Sequence, residues 1–215
     1  WEVTGVVDVL TPVAGPVIAL DARGHGRSSK PTDRRAYGED RMATDLQELC
    51  SHLDLTAFDL VGYSMGGVVS LMVAAVDPRV RRLVLGGLGA SLVERGLEGL
   101  SSSGDEVARA LEADRPGDVG DPRARSFREF ADSIGADRAA LAAHVRSGRH
   151  RSLDLGAVRV PTLIVAGRDD PLAPDPEKLA GAIPGAQLAV VPGDHLQAVG
   201  SAEFKEAVVD FLTRS

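Results

Sequence analysis

A single cysteine, Cys50, stands in 215 residues, so no disulfide can form within the chain. No stretch of eighteen apolar residues and no cleavable leader pattern is present, which offers no membrane span and favours a cytoplasmic protein. Cations are outnumbered, 24 Lys and Arg against 31 Asp and Glu, and the resulting net charge of −7 argues against a nucleic-acid surface. Cys/His pairs at metal-ligand spacing, a Walker loop and a dinucleotide glycine fingerprint are also missing, so no metal or cofactor is expected. Gly86-Gly87-Leu88-Gly89 is phosphate-like only superficially, because it lacks the Lys and does not open a helix. With 44% apolar residues the chain can bury one core, and its length suits one domain carrying an insertion. The partner expected is a small molecule.

One glycine cluster carries chemistry. Gly62-Tyr63-Ser64-Met65-Gly66-Gly67 follows Phe58-Asp59-Leu60-Val61, a short buried strand by pattern. It precedes residues 68–75, a buried helix ended by Asp77-Pro78. A serine hydroxyl is a poor nucleophile in an ordinary setting. On a sharp strand-to-helix turn its oxygen stands clear of the backbone, open to a base on one side and a substrate carbonyl on the other. Gly62 and Gly66 are expected to be small because strand and helix nearly touch there, and the serine's own dihedrals are expected to be strained.

A nucleophile of this kind is followed in the chain by an acid and then a histidine. Pro161–Gly167 reads as a buried strand and leads into Arg168-Asp169-Asp170-Pro171. Ala186–Val191 reads as another strand and leads into Pro192-Gly193-Asp194-His195. Acid and histidine therefore both lie just past the carboxyl ends of strands, where open α/β sheets build their sites. Of five histidines, His195 is the candidate base. His25 sits in a glycine-rich turn and suits a structural hydrogen bond, whereas His52, His144 and His150 suit a solvated face. Asp169 and Asp170 are neighbours and cannot both point at one imidazole; Asp194 is too close to His195 to orient it. Cys50 falls on a helix expected over 41–53, with Met42, Leu46, Leu49 and Leu53 on one face, and reads as a small buried hydrophobe.

The chemistry assigns roles. Ser64 attacks an acyl carbonyl, His195 takes the proton and returns it to the leaving group, and the acid fixes the imidazole tautomer. The backbone N–H of Met65, at the amino end of a helix, is one donor to the oxyanion.

Pro16-Val17-Ile18-Ala19-Leu20-Asp21-Ala22-Arg23-Gly24-His25-Gly26-Arg27-Ser28 resembles the strand-and-loop signature of α/β-hydrolases. So do the Ser64 block, Gly167-Arg168-Asp169-Asp170 with Pro174, and Gly193-Asp194-His195, all in the family's order. The resemblance implies an α/β fold with a mostly parallel sheet flanked by helices, and a triad of Ser64, Asp170 and His195. Asp170 is favoured as the acid by its spacing from Gly167 and Pro174; Asp169 then serves the turn. The family's early strands and its His-Gly loop, source of the second oxyanion donor, have no counterpart here, so the chain is expected to be N-terminally truncated. Residues 1–10 would match the helix after that loop, although their Val, Thr and Gly content makes a poor helix. A strand is expected at Val17–Leu20, with the family's order placing a missing strand between it and Phe58–Val61, at the cost of unpaired backbone groups.

Residues 1–90 and 153–215 are expected to form the hydrolase core, and 91–152 a helical cap. Amphipathic helices are predicted over 104–113, 123–134 and 137–147. Tyr63, Phe127 and Phe130 are candidate pocket residues; Phe127, Phe130, Leu141 and Val145 are expected to face inward. Phe204, Val208, Phe211 and Leu212 mark a closing helix on the sheet. The function expected is a carboxylesterase-like serine hydrolase acting on a small or medium ester. A perhydrolase, a carbon–carbon bond hydrolase or a lyase on the same triad, or a non-catalytic ligand-binding protein, are the alternatives.

Overall fold

Four runs rich in Val, Leu and Ile form the sheet of a computed structural model that describes residues 1–94, 104–147 and 154–214. The strands are β1 (Phe58–Tyr63), β2 (Val80–Gly86), β3 (Thr162–Gly167) and β4 (Gln187–Val191). They pair in parallel in the order β1-β2-β3-β4. Strand β3 is buried along its whole length, as a parallel strand covered on both faces must be. Register decides where the chemistry sits: Tyr63 lies opposite Gly86, Gly86 opposite Val165, and Gly167 opposite Val191. The carboxyl ends of the four strands therefore finish at one edge.

The chain divides into two compact units. The first comprises Trp1–Ala19, Ala43–Gly96 and Ser152–Ser215 and contains the sheet. On one sheet face, Val84, Leu163, Val165 and Val191 pack with helices α1 (Val6–Ala14) and α9 (Ala202–Thr213). Helix α1 forms despite poor propensity and Pro12 inside it, because Val6 and Leu10 are buried in that cluster. From α9 come Phe204, Val208, Phe211 and Leu212, all buried, the face the sequence pattern marks. Alternation along the strands turns Leu83, Leu85 and Ile164 the other way. Helix α3 (Met65–Ala74) packs on β1 and β2, and α8 (Pro176–Ala182) on β3 and β4. Helix α2 (Glu39–His52) buries Met42 and Cys50, while Leu53, beyond its last turn, is exposed.

The strand expected at Val17–Leu20 does not form. Among the described residues Val17–Leu20 have no ladder partner, and Ile18 is 51% exposed. A strand needs a neighbour to saturate its N–H and C=O groups, and among the described strands β1 is the edge of the sheet.

The second unit comprises Leu20–Met42 and Leu97–Arg151. Besides the first turn of α2 and two short 3-10 turns, its described helices are α5 (Gly104–Glu112), α6 (Pro122–Ser133) and α7 (Arg138–Val145); α4 (Ala90–Glu94) belongs to the first unit. Asp121 and Asp137 cap α6 and α7 through the amides of Ala124 and Ala140. Ala108, Leu111, Ala131, Leu141 and Ala142 form the core of the three helices. The inward-facing expectation holds for Leu141 but not for Phe127 and Phe130, which are 39% and 41% exposed. Helix α6 turns Ala124, Arg128 and Ala131 inward instead. The Arg128 guanidinium donates to the Ala110 and Ala113 carbonyls at 2.8 and 2.6 Å, satisfying the end of α5. His144 is not on a solvated face: its ring stacks on the fully buried Tyr37, with Glu39 3.7 Å away. His25 donates from Nδ1 to the Arg23 carbonyl at 3.1 Å, and burial lowers its pKa. His150 lies outside the described residues.

Candidate active site

Ser64 is the hinge between β1 and α3, and its backbone is strained, with φ 52° and ψ −121°. Its amide donates to the Gly86 carbonyl at 2.8 Å, and its own carbonyl accepts from Gly67 and Val68 at 2.9 and 3.2 Å. The strain is thus held by bonds on both sides. Met65 opens α3, so its N–H has no partner within the helix and sits at the positive end of the dipole.

Which glycines the turn needs is settled by space. A Cβ on Gly62 would fall 2.6 Å from the Gly66 carbonyl carbon and from Ser70 Oγ, and closer still to the Gly66 oxygen. On Gly67 it would meet Leu88 Cδ1 at 2.9 Å. On Gly66 it would meet nothing within 4 Å, so the close approach of strand and helix demands a glycine at Gly62, against the Gly66 backbone, and not at Gly66 itself.

Past β3 and β4 the two remaining candidates converge. His195 Nδ1 lies 2.7 Å from Asp170 Oδ2, and the Asp170 side chain is fully buried. The other carboxylate oxygen accepts the Leu172 amide at 2.8 Å. Facing an ionised carboxylate, which only accepts, Nδ1 is the donor, and in the neutral imidazole Nε2 then keeps its lone pair, the form a general base requires. Asp169 is exposed, and its amide donates to the Gly193 carbonyl at 3.2 Å. Of the adjacent pair, therefore, Asp170 is the one brought to the imidazole. Asp194 caps the turn after it, its Oδ1 accepting the amides of Leu196 and Gln197 at 2.9 Å each.

Tyr63, a pocket candidate by position, makes different contacts. Its hydroxyl donates to the His195 backbone carbonyl at 2.7 Å. Its ring centroid lies 5.2 Å from that of His195 and 5.8 Å from that of Phe204. Burial raises the pKa of the phenol, with the charges of Asp170 and Asp194 adding to the effect, so it stays a donor. Period-two alternation along β1 sends this side chain to the face that α9 covers. Sequence reasoning passed over Gly86 and Gly87, which make room for that ring. The signal was present in the glycine pair at the carboxyl end of β2, the strand that follows α3.

A family model described as alpha/beta hydrolase fold matches residues 16–120. Serine hydrolase BPHL of Mus musculus is 31% identical over 210 residues, covering 91% of this chain and 69% of that protein. The dihydrolipoyllysine-residue acetyltransferase component of the acetoin cleaving system of Pseudomonas putida is 31% identical over 214 residues, covering 92% of this chain. The chain spans 56% of that protein's length. Among solved structures, a hydrolase from Pseudomonas aeruginosa PA01 superposes with a TM-score of 0.69 at 30% identity, over 90% of this chain and 78% of that one.

Proposed function

Because the chain belongs to the α/β-hydrolase fold family, we propose that it is a serine hydrolase that cleaves a small or medium ester through an acyl-enzyme on Ser64. One observation carries the proposal. A strained serine opens a helix at the edge of the sheet where a histidine is paired at 2.7 Å with a buried carboxylate.

His195 Nε2 takes the Ser64 proton as the hydroxyl oxygen attacks the acyl carbon. Asp170 keeps Nδ1 protonated and stabilises the imidazolium that forms. The tetrahedral oxyanion is met by the Met65 amide at the amino end of α3, where both the free N–H and the helix dipole favour negative charge. The imidazolium returns its proton to the leaving alcohol; water, deprotonated by the same nitrogen, then attacks the acyl-enzyme, and the imidazolium gives that proton to Ser64 Oγ as the acid leaves. Every proton in this cycle moves through one nitrogen.

A fluorophosphonate probe tests the proposal. The folded protein is expected to be labelled at Ser64, and Ser64→Ala to abolish the label. A folded protein that takes no label, or a label that survives Ser64→Ala, overturns it.

A further inference from the structure

We propose that Tyr63 is a positioning residue for His195: its hydroxyl anchors the histidine's backbone carbonyl while its ring, lying on Gly86 and Gly87, backs the imidazole. Only the kinetic consequence rests on the serine hydrolase proposal; the placement of the imidazole does not.

Three observations support it. First, the bond of Asp170 to Nδ1 holds the ring but not the backbone that carries it. Asp194 secures the amides of Leu196 and Gln197, which follow the histidine, but not the histidine's own carbonyl. That carbonyl receives the Tyr63 hydroxyl at 2.7 Å, across 132 positions of sequence.

Second, Tyr63 immediately precedes Ser64. Nucleophile and base are thus joined through a single side chain, from the Ser64 backbone through a stiff aromatic ring to the backbone of His195. An aromatic ring has two rotatable side-chain bonds and no internal slack, so it sets a distance better than a longer polar chain would.

Third, the turn after β2 is cleared for this arrangement. A Cβ on Gly86 would meet Tyr63 Cε2 at 2.9 Å, and Cδ2 closer still. On Gly87 it would meet Tyr63 Cε1 at 2.8 Å and His195 Cε1 at 2.9 Å. Gly87 also takes φ +65°, a left-handed conformation suited to glycine. Two residues on, a Cβ on Gly89 would fall 2.6 Å from the Ala173 carbonyl carbon, and the Ala90 amide donates to the Pro174 carbonyl at 2.7 Å. Hence Gly86-Gly87-Leu88-Gly89, the phosphate-like sequence, touches all three site loops: Ser64 through the Gly86 carbonyl, His195 through Gly87, and the Asp170 loop through Gly89. Gly86 and Gly87 make room for side chains, and Gly89 for the backbone of the Asp170 loop.

Tyr63→Phe deletes one oxygen and keeps the ring, so the fold is expected to survive. Proton NMR of the full chain follows the His195 Nδ1–H, identified by its loss in His195→Gln. In Tyr63→Phe this proton is expected to exchange with water about fivefold faster, the scale of one neutral hydrogen bond. Hydrolysis of p-nitrophenyl butyrate is expected to lose a similar factor in kcat at constant KM, with Tm lowered by no more than about 4 °C. Unchanged exchange with unchanged kcat overturns the proposal. So does a rise in KM alone, which would return Tyr63 to the pocket wall. Absence of turnover in the parent protein counts against the hydrolase proposal only, and the exchange rate still decides the role of Tyr63.

Discussion

Gly62→Ala places one methyl group where the elbow has no room for it. The new Cβ would sit 2.6 Å from Ser70 Oγ and from the Gly66 carbonyl carbon, against about 3.4 Å for ordinary contact. Strand β1 and helix α3 must separate by about 1 Å to admit it, and the obstacle is backbone, which has no rotamer to exchange. Two costs follow. Overpacking of this kind lowers stability by about 1 to 3 kcal/mol. A shift of about 1 Å in a reacting group costs on the order of a hundredfold in rate, and Ser64 stands between the two elements being forced apart. Gly66→Ala supplies the control within the same turn. Its Cβ meets nothing within 4 Å, and alanine favours a helix over glycine by up to about 1 kcal/mol. The assay is the rate of fluorophosphonate labelling at Ser64, with thermal melting run in parallel. Gly62→Ala is expected to label on the order of a hundredfold more slowly, and Gly66→Ala to keep its melting temperature. Equal melting and labelling in Gly62→Ala, or equal damage from the two substitutions, would refute the steric reasoning.

Two further outcomes are expected. Asp170→Asn removes the acceptor that holds Nδ1–H and is expected to cost about 10⁴-fold in kcat. Asp169→Asn, at an exposed carboxylate, is expected to stay within about twofold; equal losses would show that the acid was misassigned. Asp77 is held down to about 2 by the Arg79 guanidinium, 2.7 Å away, so its contribution to stability is complete above the ordinary carboxylate pKa and is lost as the pH falls from about 4 to about 2. Urea unfolding at pH 6 and pH 3 is expected to differ less in Asp77→Asn than in the parent, by about 1 kcal/mol; an unaltered pH dependence would exclude the pair as its source.

Much of this arrangement was legible in one dimension because it is local. The serine turn needs an apolar strand before it and a buried helix after it, and both are contiguous in sequence. Residues past β3 and β4 are bound to share an edge once the strands run parallel. What escaped is what depends on a neighbour brought by the fold. Val17–Leu20 has a strand's composition, but a strand is a relation between two segments, and among the described residues no ladder partner lies beside it. Tyr63 looked like a pocket residue from its place beside Ser64, whereas strand alternation turns it toward α9 and the histidine's carbonyl. Asp169 and Asp170 were distinguishable by motif spacing, but their opposite burial is a property of the turn. For Phe127 and Phe130, hydrophobicity suggested burial, yet α6 gives its inner face to alanines and to Arg128, whose donors end α5.

The alanines of the second unit carry a mechanical consequence. Helix α5 meets α6 and α7 through Ala108, Ala131 and Ala142, with Leu111 and Leu141 among them. An alanine side chain has no rotamers, so ordering it on folding costs no side-chain entropy. For the same reason it cannot reshape itself around an added atom. A core of larger residues takes up small changes by rotating side chains; this one must shift whole helices. Deformation of the three-helix group is therefore expected to occur by movement of helix axes, and even one added methylene at Ala108 or Ala142 should be felt along the full length of the helix that bears it.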